Sequence, residues 1–224
     1  MKLLQENELI WSSVVVNNRM NRERNAIGIN SYHKEFKIDI YNYLNTIKNE
    51  EVAWLDLCCG NGNAIIQIAE KLSNDKFNKK IKLKGIDLIE TFNEKHKQFN
   101  FTEFEVNSLL NMNSTEKFDL ITCFHGLSYI GDKLKVITLI NDKLTEKGFF
   151  IGNLDMANLQ CKDLSIKESV KILFKDKGIS YNTKTRIIQF HKIKQLHFNC
   201  NYLGADDKFG PNYSGQDSVK SYYI

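Results

Sequence analysis

Five short apolar runs, separated by segments with helical spacing, constrain this chain more than any other feature. They read EVAWLDLC (51–58), IKLKGIDL (81–88), FTEFEV (101–106), FDLITCF (118–124) and GFFIGNL (148–154). Each has strand length, and most carry too few polar positions for a solvated face, which suits strands buried in a parallel sheet. Helical spacing fills the gaps at 64–72, from about residue 91, and at 132–144, where Asp132 supplies an N-cap. Strands joined through helices form βαβ units, so the expected class is α/β with helices on both faces.

The two ends depart from this rhythm. Apolar residues at 36, 40, 43, 44 and 47 predict one helix over 32–47. Past a helix at 165–175, TRIIQFHKI (185–193) and KQLHFNCNYL (194–203) lie too close for a crossover, so they are expected to pair antiparallel. The tail GADDKFGPNYSGQDSVKSYY (204–223) is rich in turn residues and aromatics and is expected to form an ordered loop over the sheet's end.

Composition sets outer limits. Hydrophobic content of 42% and charged content of 26% suit a globular chain with a core. A net charge of +4 is too weak to imply nucleic acid. There are five cysteines, an odd number, and most sit in apolar runs, which points to a reducing, cytoplasmic setting. Adjacent Cys58 and Cys59 lack the spacing of a metal pair, so no metal is expected. No apolar run is long enough for a leader or a membrane span, and no membrane partner is expected.

The most informative stretch is LDLCCGNGNA (55–64). A strand ends in a turn holding Gly60 and Gly62, and a helix follows. Such turns let a ligand approach the backbone and the helix N-terminus. In open α/β sheets this is where ligands bind. A dinucleotide motif would place a small residue at position 65, which is Ile, and Asp56 would repel a pyrophosphate.

An acid, a spacer and Gly-x-Gly, at Asp56, Gly60 and Gly62, resemble the first motif of class I S-adenosylmethionine-dependent methyltransferases. The resemblance extends over residues 52–155. It implies a Rossmann-like, seven-stranded, mostly parallel sheet with a C-terminal antiparallel hairpin, and S-adenosylmethionine as cofactor. It also implies cofactor contacts from Asp56, Cys58, Gly60, Gly62, Asp87, Leu88, Asn107, Ser108, Leu109, Phe124 and His125. Asp87 would receive the ribose hydroxyls. Asn107 stands where the family often has an acid for the adenine amino group, and its side-chain carbonyl can accept the same bond. The segment FHGLSYIGD (124–132) is similar to the family's stretch after strand four.

Methyl transfer from a sulfonium needs mainly positioning, with a base where the acceptor must lose a proton. His125, Tyr129 and Arg22 are the candidate catalytic residues. His125 is the candidate base, Tyr129 shapes the acceptor pocket, and Arg22 with Arg24 can hold a carboxylate or phosphate. Asp206 and Asp207 can meet a cationic substrate. The expected layout is one domain: a lid over 1–48, a cofactor core over 52–155, and a helix, hairpin and tail over 156–224. The expected acceptor is an oxygen or nitrogen of a small molecule or short peptide. The competing readings are an NAD(P)-dependent oxidoreductase, a non-catalytic cofactor-binding module and, less favoured, an RNA methyltransferase.

Overall fold

The computed structural model describes residues 2–16, 23–75, 77–112, 115–161 and 164–224, with the side chains of 164–167 outside that description. The helices are α1 (Glu6–Leu9), α2 (Tyr32–Phe36), α3 (Ile40–Thr46), α4 (Asn63–Asn74), α5 (Lys133–Lys143) and α6 (Leu164–Asp176). The strands are β1 (Glu51–Leu57), β2 (Lys80–Asp87), β3 (Thr102–Val106), β4 (Phe118–Cys123), β5 (Leu144–Asn153), β6 (Leu159–Cys161), β7 (Ser180–Asn182), β8 (Ile187–His191), β9 (Tyr202–Asp206) and β10 (Lys220–Tyr223).

Seven strands form one sheet in the order β3-β2-β1-β4-β5-β8-β7. The first five are parallel, and β8 runs antiparallel to both β5 and β7. The expected α/β class with a mostly parallel sheet and a reversed end therefore holds. The chain winds outward from β1 to β3, then returns to the other side of β1 with β4. The carboxyl ends of β1 and β4 thus flank a topological switch, the usual place for a ligand in such sheets.

Strand alternation sorts the core into two layers. Val52 and Trp54 of β1 pack with Tyr32, Phe36, Ile65 and Ile68 on the α2–α4 side. Leu55 and Leu57 face the α5–α6 side with Ile137, Phe150 and Phe174. The buried Trp54 indole donates to Thr122 Oγ1 at 3.0 Å, so it leaves no orphan donor. On α4, Ala64, Ile65, Ile68, Ala69 and Leu72 form one buried stripe, as the helical period requires.

Several local expectations are corrected. The helix over 32–47 is two helices, because Lys37 turns left-handed at φ 58° and ends the first. The helix near residue 91 is only a 3-10 turn at Glu94–Gln98. The antiparallel hairpin sits one segment earlier than expected and joins β7 to β8. KQLHFNCNYL does not pair with TRIIQFHKI; only its end enters β9, in a second sheet ordered β6-β10-β9. Sequence patterning cannot distinguish these partners, because strand pairing depends on which edge lies free in space.

The second sheet holds the tail. Lys133, fully buried at the start of α5, donates through Nζ to Ile130 O at 2.6 Å, Val219 O at 2.8 Å and Ser221 Oγ at 2.8 Å. Three acceptors match the three ammonium hydrogens and tie β10 to α5. The N-terminal segment reaches the same sheet, where Leu4 and Ala205 exchange backbone bonds of 2.8 and 2.9 Å. Among the described residues, no helix is long and apolar enough to cross a membrane.

Candidate functional site

The turn after β1 takes its shape from its glycines. Cys58, Gly60 and Gly62 have φ of 55°, 59° and 75°, so the chain passes three times through the left-handed region. At Gly62 a side chain is excluded twice over, since a Cβ would also lie 2.3 Å from the Phe104 ring. Asp87 at the end of β2 braces the turn. Its Oδ2 accepts from Gly60 N at 2.9 Å, and its Oδ1 accepts from Ile89 N at 3.1 Å.

A cleft opens over this turn and encloses about 1000 Å³, including its solvent-open mouth. Of the expected cofactor contacts, Cys58, Gly60, Asp87, Leu88, Asn107, Ser108, Leu109, Phe124 and His125 line it. Tyr129 lines it as well. Asp56 and Gly62 do not. Asp56 shares a β1 face with Trp54, so strand alternation aims it into the helical layer. Gly62 serves as the N-cap of α4 beneath Phe104. Arg22 lies outside the described residues.

Asp56 is fully buried. Its Oδ1 accepts from Tyr32 OH at 2.5 Å and Thr122 Oγ1 at 2.7 Å, while its Oδ2 has no hydrogen-bond partner among the described residues. Burial pushes its carboxyl up to about 7, against the opposing pull of those two hydroxyls and the Arg24 charge. Arg24 lies with its guanidinium 3.5 Å from the Phe124 ring centroid and donates to Asn30. It lines the cleft, and among the described lining residues it is the one lysine or arginine.

On the other wall, Asn107 Nδ2 donates to Glu105 Oε1 at 2.7 Å and to Asn111 O at 3.4 Å. Its Oδ1 is therefore the atom left to accept. His125 follows β4 with φ 59° and donates its backbone N–H to Asn153 Oδ1 at 3.1 Å. Burial, and secondarily the Arg24 charge, hold its imidazole down at about 4, so the ring is neutral near pH 7. Tyr129 donates its hydroxyl to Gln216 Oε1 at 2.9 Å, and burial pushes its phenol up to about 12.

Glu6, Leu9, Ile10 and Val15, within the segment expected as a lid, line the cleft, though sequence reasoning named none of them as a site residue. Nothing local marks them, because they reach the site only when the N-terminal segment joins β9. Asp206 and Asp207 do not line the cleft; Asp207 accepts from Ser12 Oγ at 2.7 Å and fastens that segment.

These residues fit an adenosyl ligand carrying an amino acid. Left-handed glycine backbone permits close approach, Asp87 offers carboxylate lone pairs beyond those used by Gly60 and Ile89, and Asn107 presents a carbonyl. A fully buried carboxylate oxygen, without a hydrogen-bond partner among the described residues, belongs to Asp56 of the same strand and turn. Fold and cleft together define a Rossmann-like nucleotide-binding enzyme domain. The sequence profile of a family described as a methyltransferase domain matches residues 48–200, and the chain belongs to that family. It thus carries a methyltransferase domain, the class that the motif resemblance implied.

One solved structure agrees on the fold. The N-methyltransferase NodS from Bradyrhizobium japonicum, in complex with S-adenosyl-L-homocysteine, is similar at TM-score 0.50 and 13% identity, covering 84% of this chain and 97% of that one. The amino pentose methyltransferase CalS10 from Micromonospora echinaspora, bound to S-adenosylmethionine, has TM-score 0.41 and 16% identity over 55% of this chain and 50% of its own. The chain spans only 42% and 36% of the two StiE O-methyltransferase structures it matches. No curated protein sequence gives a significant match.

Proposed function

We propose that this protein transfers a methyl group to an oxygen or nitrogen of a small molecule or short peptide. The supporting observation is the cleft itself, which the motif residues line together with Tyr129, His125 and Arg24. When bound, S-adenosylmethionine supplies an already activated methyl. The protein's task is then to orient the two reactants and exclude water.

Each residue has a role in this reading. Asp87 receives the ribose hydroxyls, Asn107 the adenine amino group, and the Cys58–Gly60 backbone lies along the cofactor. Leu109 and Phe124 supply apolar cover. His125 and Tyr129 face the acceptor, and Arg24 takes the carboxylate role expected of the Arg22–Arg24 segment. The chain acts as one domain, with 1–48 as lid, 52–155 as cofactor core and 156–224 as the acceptor-side support. A cytoplasmic setting is supported by the five cysteines, which form no disulfide among the described residues.

Two measurements test the reading. A ligand at a hundredfold its dissociation constant adds about 2.7 kcal/mol. Each kcal/mol moves the unfolding midpoint by roughly 2–4 °C for a chain of this size. S-adenosylhomocysteine should therefore raise the midpoint by roughly 5–10 °C, while NAD and NADP should not. Methyl-labelled S-adenosylmethionine, offered with separated small-molecule, peptide and RNA fractions, should label one of the first two. Label confined to RNA would overturn the acceptor class.

A further inference from the structure

The tail after β9 folds onto the turn that follows β4. Asn212 Nδ2 donates to Ser128 Oγ at 3.2 Å, and Val219 N donates to Ser128 O at 2.9 Å. These bonds, with that of Tyr129 to Gln216, carry Tyr213 to the back of His125, where its hydroxyl lies 3.0 Å from Nδ1. His125 lines the cleft and Tyr213 does not. Nδ1 thus faces the tail, and Nε2 is the nitrogen left to meet a ligand.

Proton placement follows from donor and acceptor strength. A phenol hydroxyl is a better donor than a neutral imidazole N–H, and an imidazole nitrogen is a better acceptor than a phenol oxygen. Among the described residues, the Tyr213 hydroxyl has no other hydrogen-bond partner. Its proton therefore points to Nδ1, and the imidazole hydrogen sits on Nε2. A ring so arranged has no lone pair to offer the cleft and cannot serve there as a base.

We infer that Tyr213 is a positioning residue that presents His125 as an Nε2–H donor, and that the methyl acceptor is an anionic oxygen, a small-molecule carboxylate. This rests on the methyl-transfer reading and narrows it. A carboxylate attacks without first losing a proton, and it has lone pairs left to receive a hydrogen bond while one oxygen reacts. An amine has one lone pair, which a donor at Nε2 would occupy. Arg24 adds a positive charge to the same cleft. The Glu6 carboxylate across the cleft is directed at the start of α5, where Oε1 accepts from Asp132 N at 2.5 Å. In the step, one carboxylate oxygen bonds to the methyl carbon as the methyl–sulfur bond breaks. The electron pair stays on sulfur, and an ester and a thioether result with no proton released.

Nitrogen-15 NMR of labelled histidine tests this without a known acceptor. The wild type should show His125 as the Nε2–H tautomer with a hydrogen-bonded Nδ1. Tyr213→Phe should erase the Nδ1 bond and mix the tautomers, while S-adenosylhomocysteine affinity by calorimetry stays within about twofold. With S-adenosylhomocysteine present, benzoate should shift the Nε2–H signal in a saturable way, and benzylamine should not. A wild-type Nδ1–H tautomer, no response to benzoate, or a response to benzylamine alone would overturn the inference. Failure of S-adenosylhomocysteine to bind at all would instead remove the methyl-transfer reading on which it rests.

Discussion

Asp87 Oδ2 accepts the Gly60 backbone N–H at 2.9 Å, so the end of β2 holds the glycine turn that follows β1. The same carboxylate lines the cleft and is the ribose ligand in the proposed site. It therefore shapes the loop before any ligand arrives. Asp87→Ala should weaken S-adenosylhomocysteine at least tenfold, about 1.4 kcal/mol, by removing the ligand bond and loosening the turn. It should also lower stability by roughly 1.5–3 kcal/mol, the range for hydrogen bonds to a charged group. Calorimetry and urea unfolding read the two effects, and unchanged affinity would remove Asp87 from the site.

Gly62 and Phe104 should be energetically coupled. Alanine at 62 combines a left-handed φ of 75° with a Cβ 2.3 Å from the ring. Strain and overpacking together should cost about 2–4 kcal/mol. Phe104→Ala opens that space, so Gly62→Ala should cost less in its background. Additive losses in a double-mutant cycle would show that the ring contact contributes nothing.

Asp56 should give the protein a distinct pH dependence. Its folded-state value of about 7 lies above that of an ordinary aspartate. The carboxyl thus favours the native state most at low pH and loses that contribution as pH rises through about 7. Asp56→Asn removes the titration. Between about pH 4 and pH 8 the variant should gain roughly 3–5 kcal/mol relative to the parent. Paired unfolding curves check the sign, and a constant difference would mean that Asp56 ionises normally.

Lys133 should fasten the tail. Replacement by Met leaves Ile130 O, Val219 O and Ser221 Oγ short of a donor in a buried place. The loss should be about 2–4 kcal/mol, reduced by removal of a buried charge. Hydrogen exchange should quicken in β10 before it quickens in β1. Uniform change across the molecule would contradict a local tie.

The central architecture was legible in the sequence because it depends on short-range patterns. The runs at 51–58, 81–88 and 118–124 match β1, β2 and β4 closely, since burial on both faces leaves few polar residues in a strand. The turn of Gly60 and Gly62 was legible because left-handed backbone favours glycine. Spacing also located Asp87, Asn107 and His125 at strand exits, and all three line the cleft. What the sequence did not disclose depends on contacts between distant segments. Whether Asp56 faces ligand or core was decided by the register of β1 against its neighbours. Glu6 and Leu9 reach the cleft through the Leu4–Ala205 backbone bonds, which join residues about two hundred apart, and Tyr213 reaches His125 through the Ser128–Val219 bond, which joins residues about ninety apart. Residue types and spacing encode local backbone preference; the proximity of remote groups, and with it the proton on His125, arises only when those segments pack.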